Sequence, residues 1–599
     1  MWSGEGDGQD EETRAGVREG DDGLSLGVQQ DIKMLSMPDC LQTSGAGRHS
    51  FNFAFRVRDK DCAMEERHFQ HCFVSFRQCK DASSARGYFQ QSVVLVSALP
   101  CVGLFYSTLD RLAAVLLEAT PETSIAQTLQ TAFQHFAQWP APPGDLRQGP
   151  PLHMPFLGSV IAYNCPSLPV YMHHLREAYY PPGSSSPPSS PPSSSSSSGW
   201  HGAPRSGLDG GLGSYSDASL LSLQRWGLVP HLWTLWHLVL AGRRIVVYSP
   251  SAEVCSAVVL TLCSLTAPLA FAGDCRPYIS AADSDVAMLA AEGAGGAEGA
   301  CRLVGITNPF LLRAFKGYDA ALFVPDELSC PGGGSGNVGG GGISGTVSLF
   351  RALALGSGGA APPASSSSSG AAVLTARAKV LTSGPGARSL EEEHDRWAVK
   401  CGGAGGGGGG GGRGGGSAGA VAGAISGAVG SLASSLSRGV LGGSRRGARE
   451  TLLCLRSLPP VAADPDASRR LQSVLGLGGA QAEVIGSMLL REHFRSLTLA
   501  LLRPLEPLLL QLPPPTGPQV AIDVAPALAG LTGCLSAARG TAGRPPRVSA
   551  GAEVVLPPCL CVPEWKALLL SLGRSPHFQA WCRWRRQEAV RAAQLAPCC

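Results

Sequence analysis

Few residues of this 599-residue chain stand at spacings that could make or break bonds. His68-Phe69-Gln70-His71 with Cys72 groups metal-ligand types, but it has no fourth ligand at a recognised spacing, so a strand edge and loop is expected. Cys559-x-Cys561 is tighter than a C-x-x-C site and reads as packing or a surface thiol. G-x-G-x-x-G occurs in glycine-rich low-complexity sequence, notably the run 402–416, with no strand expected before it and no helix after it. The phosphate-loop pattern and H-E-x-x-H are absent, and no strand-turn-helix nucleophile elbow is present. Ser335 and Ser344 have glycines nearby at the wrong spacing, and Asp464 and Asp466 stand in a linker with no evident partner. The expectation is a chain with no catalytic residue, no metal site and no cofactor, acting by binding rather than by acid/base or covalent chemistry.

Composition sets the frame for whatever binds. Gly and Pro make up about a fifth of the residues, 44% are hydrophobic and 16% charged, which implies packed blocks separated by low-complexity spacers. A net charge of +3 offers no bulk-charge case for a nucleic-acid partner. The 19 cysteines are scattered through a chain far too long for a disulfide-stapled miniprotein. Residues 1–22 carry eight acids and two arginines and no apolar run, so no signal peptide and a cytoplasmic, reducing location are expected. Val254–Gly273 lacks charge and is long enough to span a bilayer, but it holds four Ser/Thr, two Cys and Pro268. A buried helix of an α/β core is the expected reading, and a membrane span the alternative.

Ordered elements follow from periodicity. Residues 1–45 are acidic, glycine-rich and expected to be unstructured. FNFAFRVR (51–58), HCFVSFR (71–77) and YFQQSVVLVS (88–97) read as strands of an antiparallel sheet. Helices are expected over 104–119 and 125–138, then a single returning strand over 151–163. After a Pro/Ser spacer, LQRWGLVPHLWTLWHLVLAG (223–242) predicts a buried helix, and IVVY (245–248) a buried strand. SPSAE (249–253) supplies a Ser cap and a first-turn Glu253. CRLVGITNPFL (301–311) gives a further buried strand, so this block has the mainly parallel sheet of an α/β lobe. Residues 327–372 and 401–447 are low-complexity, with a short ordered peptide at Leu390–Lys400 between them. The block 475–596 reads as helical, with segments at 482–512, 562–573 and 575–595.

Taken in order, these runs resemble DENN-domain proteins, most closely subclass six, also called AFI-one-like. The resemblance is carried by FVSFRQCKDASSARGYFQQSVVLVSALP (73–100), WPAPPG (139–144) with LHMPFLG (152–158), and LWTLWHLVLAGRRIVVYSPS (232–251). RPYISAADSD (276–285), LVGITNPFL (303–311), LLREHFRSLTLALLRPLE (489–506) and SPHFQAWCRWRRQE (575–588) complete it, covering roughly half the chain. It implies an α+β fold. A longin-like upstream module of antiparallel sheet and helices (46–165) precedes a linker (166–218) and a central α/β module (219–326). A mostly disordered insertion (327–474) and a helical downstream module (475–599) follow. The family's first hairpin is missing: LSLGVQQDIKMLSMP (24–38) reads only as a helix end.

The resemblance further implies guanine-nucleotide exchange on a Rab-type small GTPase in recycling-endosome traffic. With it come peripheral association with membranes, recruitment to endosomes and no transmembrane segment. The alternatives are a non-catalytic adaptor that binds a GTPase on membranes, and a GTPase-activating protein using Arg276 or Arg86. Exchange needs differential binding and no nucleophile. The expected contacts are Arg276, Tyr278, Asp283, Asp285, Asn308 and Pro309, at the ends of central-module elements. Arg276 has a second reading, an ion pair to Asp274 or Asp283 in its own loop, and Asn308 a second one as a turn-former before Pro309. Trp233 and Trp236 are expected in the core. Arg583, Arg585, Arg586 and Arg591 form a solvated helix face or, alternatively, a membrane-facing one. The final Cys598-Cys599 pair suits either lipidation or exposed thiols.

Overall fold

The computed structural model describes residues 2–5, 26–39, 47–56, 69–84, 87–97, 101–118, 125–139, 152–163, 220–291 and 301–325. It also describes 378–382, 392–396, 451–455, 461–475, 479–505 and 562–595. His68, Arg86, Ser335, Ser344, Cys559, Cys561, Cys598 and Cys599 lie outside the described residues, and Arg591 belongs to the described backbone alone.

The first lobe is a four-stranded antiparallel sheet in the order β1-β4-β3-β2. Its strands are β1 (Trp2–Glu5), β2 (Gly47–Arg56), β3 (Phe69–Lys80) and β4 (Tyr88–Ser97). Alternation in β2 puts Phe51 and Phe53 in the core. The β3–β4 hairpin closes on Asp81, whose carboxylate accepts from the Ser83 backbone N–H and hydroxyl, and on Gly87 at φ 77°. On this sheet lies α2 (Val102–Glu118), with Phe73 packed against Phe105 and Tyr106.

Three expectations for this lobe are corrected. Residues 26–35, placed in an unstructured acidic segment, form α1 (Leu26–Leu35), which buries Ile32 and Leu35. Residues 2–5 of the same segment form β1, which pairs antiparallel with β4, Trp2 opposite Val94, and so covers the edge left by the hairpin expected to be missing. Residues 151–163 are not one strand but a hairpin, β5 (Leu152–Phe156) and β6 (Ser159–Tyr163). Its two-residue turn holds Leu157 at φ 44° and Gly158 at φ 75°. The hairpin leans on α3 (Ile125–Ala137): the Leu157 N–H donates to His135 Nδ1 at 3.1 Å and Trp139 Nε1 to the Pro155 carbonyl at 3.0 Å.

The second lobe is a six-stranded sheet in the order β11-β12-β10-β7-β9-β8. Strands β7 (Arg244–Tyr248), β8 (Asp274–Ile279), β9 (Arg302–Ile306) and β10 (Ala320–Phe323) are parallel, and nearly all their residues are buried. Helix α4 (Leu232–Leu240) precedes β7 and α5 (Ala252–Cys263) follows it, capped by Ser251, whose Oγ accepts from the Val254 N–H. The uncharged stretch 254–273 is not one helix: α5 ends at Cys263 and a 3-10 turn, Ser264–Thr266, follows. Among the described residues no helix is long and apolar enough to cross a membrane.

The insertion 327–474 also holds structure. Strands β11 (Ala378–Thr382) and β12 (Thr451–Leu455) extend the sheet beyond β10. A helical turn at 392–396 sets His394 against Tyr248 and Phe323, within the peptide expected at Leu390–Lys400. Thr451-Leu-Leu-Cys-Leu455 is buried throughout but too short to stand out from low-complexity surroundings.

Helices α7 (Pro465–Leu475), α8 (Gly479–Leu502), α9 (Val562–Arg574) and α10 (Pro576–Leu595) form the C-terminal part, with α6 (Val286–Ala291) between β8 and β9. Trp233 and Trp236 are core residues, as expected: their indole N–H groups donate to His493 Nε2 at 3.0 Å and to Thr498 Oγ1 at 3.1 Å on α8. Arg585 departs from the solvated face and is buried, while Arg583 and Arg586 are half-buried. Asp464 caps α7, accepting from the Asp466 and Ala467 N–H groups.

Gly305 in β9 tolerates no side chain, because an added Cβ would sit 2.0 Å from the Pro277 carbonyl oxygen. Gly305→Ala is expected to destabilise by about 3 kcal/mol in urea denaturation. Gly27→Ala, in an open helical position, is expected to be neutral or stabilising. Burial pulls the pKa of His71, His237 and His577 down to about 4. Since the unfolded chain takes up these protons first, stability present above pH 6.5 is lost as pH falls toward 4. The urea midpoint should therefore drop between pH 7 and pH 5, and His577→Gln should flatten that dependence.

Candidate functional site

Strands β7, β8 and β9 end on the same side of the sheet, at Tyr248, Ile279 and Ile306. Asp283 and Asp285 follow β8 and Asn308 and Pro309 follow β9 on the segments leaving that edge, whereas Arg276 and Tyr278, read from the sequence as loop residues around Pro277, lie within β8 itself, since its pairing with β9 continues through Ile279. Parallel sheets place sites there because the strand ends leave a crevice between diverging connections. Pairing of β8 with β9 is regular from Asp274 to Arg276, then shifts by a bulge before Ile279. The bulge re-aims the side chains around it. Cys275 and Tyr278 join the core shared with α5 and the antiparallel sheet, whereas Ile279 joins the cluster with Leu289 of α6. Arg276 reaches Asp285, which leads into α6. Arg276 and Tyr278, neighbours in sequence, therefore serve different packing layers.

Arg276 is fully buried and bonded within its own strand and the turn that follows it: Nε to Asp274 Oδ1 at 2.9 Å and Nη2 to Asp285 Oδ2 at 2.7 Å. Burial disfavours its charge, but the carboxylates of Asp274, Asp285 and Asp283 more than offset this and hold its pKa above the ordinary value. Of its two readings, the internal ion pair is the one the geometry displays, with Asp285 as the second acid. Asp283 stiffens the same turn, its Oδ1 accepting from the Asp285 N–H at 2.8 Å. Asp283 and Asp285 are half-buried, while Ala281, Ala282 and Ser284 beside them face solvent.

Tyr278 is also buried. Its ring meets Phe51 of the first lobe edge-on at 5.2 Å, and its hydroxyl accepts from the Asp39 N–H at 2.7 Å. Burial pushes its phenol pKa up. Asn308 caps the 3-10 helix Pro309–Arg313, with Oδ1 accepting from the Phe310 N–H at 3.0 Å, and Pro309 occupies the first turn. That matches the turn-former reading, and both residues stay half-buried at the rim.

Sequence reasoning missed two residues. Phe310 projects from this turn with 42% of its surface exposed. Asp39, from the first lobe, sits on the rim: its carboxylate accepts from the Ala281 N–H at 2.6 Å and hydrogen-bonds the Asn308 side chain. An exposed aromatic next to Asn-Pro was visible within the 303–311 run, but nothing in Met37-Pro38-Asp39 points across 242 residues of chain.

The rim has an apolar projection flanked by fixed carboxylates and backbone groups, a composition suited to docking a macromolecule. Among the described residues no group of three or more His, Cys, Asp and Glu side chains is placed to hold a metal. His71 and Cys72 are both buried, as adjacent residues of β3.

No protein-family profile matches the chain. Among curated proteins, it is 34% identical over 251 residues to the mouse (Mus musculus) protein DENND6B, covering 42% of this chain and 37% of that one. It is 32% identical over 252 residues to the human (Homo sapiens) protein DENND6B, with the same coverages of 42% and 37%. It is 36% identical over 234 residues to a DENND6 homolog of Dictyostelium discoideum, covering 36% and 31%. The chain spans about a third of the length of the curated relatives it matches.

Arg276→Met leaves Asp274 buried and Asp285 half-buried without their cation. It is expected to destabilise by about 3 kcal/mol, read as a lowered urea midpoint, whereas Asp283→Asn, at the half-buried end of the network, should cost under about 1 kcal/mol.

Proposed function

We propose that this chain, a relative of the DENN-domain proteins of subclass six, is a guanine-nucleotide exchange factor for a Rab-type small GTPase in endosomal membrane traffic. The observation that carries the reading is the kinship itself, joined to a two-lobe body in which an antiparallel sheet packs on the α/β lobe through β2, α5 and β8. A GTPase holds GDP and Mg²⁺ through its phosphate loop and its switches. A partner that grips displaced switches weakens nucleotide binding by the same factor that nucleotide weakens the partner. Such a partner needs a rigid surface, and the rim at the ends of β8 and β9 supplies one. Its turn is braced from below by the Arg276 ion pairs, so docking orders little that is not already ordered. Phe310 is the apolar anchor and Asp283 the acidic contact for a basic switch residue. Arg276 and Tyr278 act as supports rather than contacts, since both are buried.

The test is release of labelled GDP from a panel of Rab GTPases by the purified chain. We expect fast release from one or two of them. Phe310→Ala should lower kcat/KM at least tenfold, and Asp283→Asn, which keeps an acceptor for the Asp285 N–H, should lower it too while shifting stability by no more than about 1 kcal/mol. Binding of a GTP-loaded Rab without GDP release would replace exchange with the adaptor role.

A further inference from the structure

We propose that Ser36–Asp39, the segment leaving α1, is a clasp that holds the first lobe on the α/β lobe, and that Asp39 positions the rim of the docking surface. On its first-lobe side the segment is rooted. Ile32 and Leu35 of α1 are buried, and the Ser36 hydroxyl shares a 3.0 Å hydrogen bond with the Ser92 hydroxyl of β4. Three residues later, Asp39 spends all its polar groups on the other lobe. Its N–H donates to Tyr278 Oη at 2.7 Å, and its carbonyl accepts from Thr307 Oγ1 at 3.2 Å. Its carboxylate accepts from the Ala281 N–H at 2.6 Å and bonds the Asn308 side chain.

One residue thus ties together the two loops that form the rim, 280–285 after β8 and 307–310 after β9. Beside these, each loop carries short-range bonds such as Ala282 N–H to Ser280 Oγ and Phe310 N–H to Asn308 Oδ1, and the first loop the Arg276 bond to Asp285. Tyr278 is the shared post, since Phe51 of β2 meets edge-on the ring whose hydroxyl accepts from the Asp39 N–H. Burial raises the Asp39 pKa, and the Ala281 and Asn308 bonds oppose that rise, as expected for a carboxylate recruited into an interface for its geometry.

If the clasp opens, the two rim loops lose their common anchor while each lobe keeps its own core. The effect on exchange rests on the function proposed above, but the clasp stands on geometry and is tested without it. Hydrogen exchange on the full chain provides the readout. Asp39→Ala should speed exchange at least tenfold in peptides spanning 26–38 and in those spanning 278–285 and 307–312, leaving β3 and α4 protected. Asp39→Asn, which keeps an acceptor for the Ala281 N–H, should restore most of that protection. Thr307→Val, which removes only the bond to the Asp39 carbonyl, should give a milder version of the same pattern. Unchanged protection of the rim loops in Asp39→Ala overturns the clasp, and so does loss spread evenly over β3 and α4. In GDP release, Asp39→Ala should raise KM for the GTPase about tenfold with kcat within twofold. Absence of any GDP release from the unaltered chain would sink the exchange function and leave the hydrogen-exchange result standing.

Discussion

Helix α5 has no solvent-facing side, and the two lobes are joined because of it: every residue from Ala252 to Cys263 is buried. One flank packs on β8 and β9 of the parallel sheet, and another on β2 of the antiparallel sheet. An α-helix with an apolar stripe needs one partner, and one apolar all round needs to be enclosed. Burying a Val or Leu side chain is worth about 2 kcal/mol, so separating the lobes would expose several such residues at once. The β2–α5 contact therefore sets where the first sheet sits, and with it where Phe51 and the end of α1 arrive.

An enclosed helix must also satisfy its polar groups. Ser256 and Thr261 do so within the helix, bonding the carbonyls of Glu253 and Ala257. The same accounting recurs in the sheet next to it. Arg276 is a cation with no exposure, tolerated because two carboxylates meet it at hydrogen-bond distance. Its charge holds the 280–285 turn rigid from beneath, so a core ion pair governs the shape of a surface loop. Gly305 makes room for the bulge that allows this, letting the Pro277 carbonyl approach β9 closer than any side chain would permit.

Kinship with the DENND6 proteins covers about two fifths of the chain, and the rest is built on the same physical terms. Strands β11 and β12 enter the sheet from the far side of β10, and β12 runs antiparallel to it. Helix α8 is joined to α4 by two indole hydrogen bonds, which converts a purely apolar contact into one with a defined register. The long insertions are compatible with this because closing a longer loop adds only slowly to the entropy of folding.

Much of the fold was legible from local pattern. Alternating Phe51 and Phe53, the β3–β4 hairpin, helices α2 and α3, the Ser251 cap and the apolar IVVY strand are all periodicities or caps whose physics acts over a few residues. The family resemblance shared with these the β3–β4 hairpin and the run 232–251 that holds IVVY and Ser251. The candidate site was legible only in part. Sequence placed Asp283, Asp285, Asn308 and Pro309 just beyond the strand ends, since Asn-Pro turns and polar runs are local signals, but it put Arg276 and Tyr278 in a loop when both belong to β8. It could not tell buried side chains from half-buried ones. Whether Arg276 faces a partner or Asp285 depends on a bulge fixed by Gly305, and whether Tyr278 is free depends on Phe51 and Asp39, more than two hundred residues away. Similarly, the turn at Leu157-Gly158 and the strand Thr451–Leu455 needed neighbours to declare themselves. Local chemistry decides what a segment is able to form; burial, and the hydrogen bonds it obliges, is a property of the packed whole.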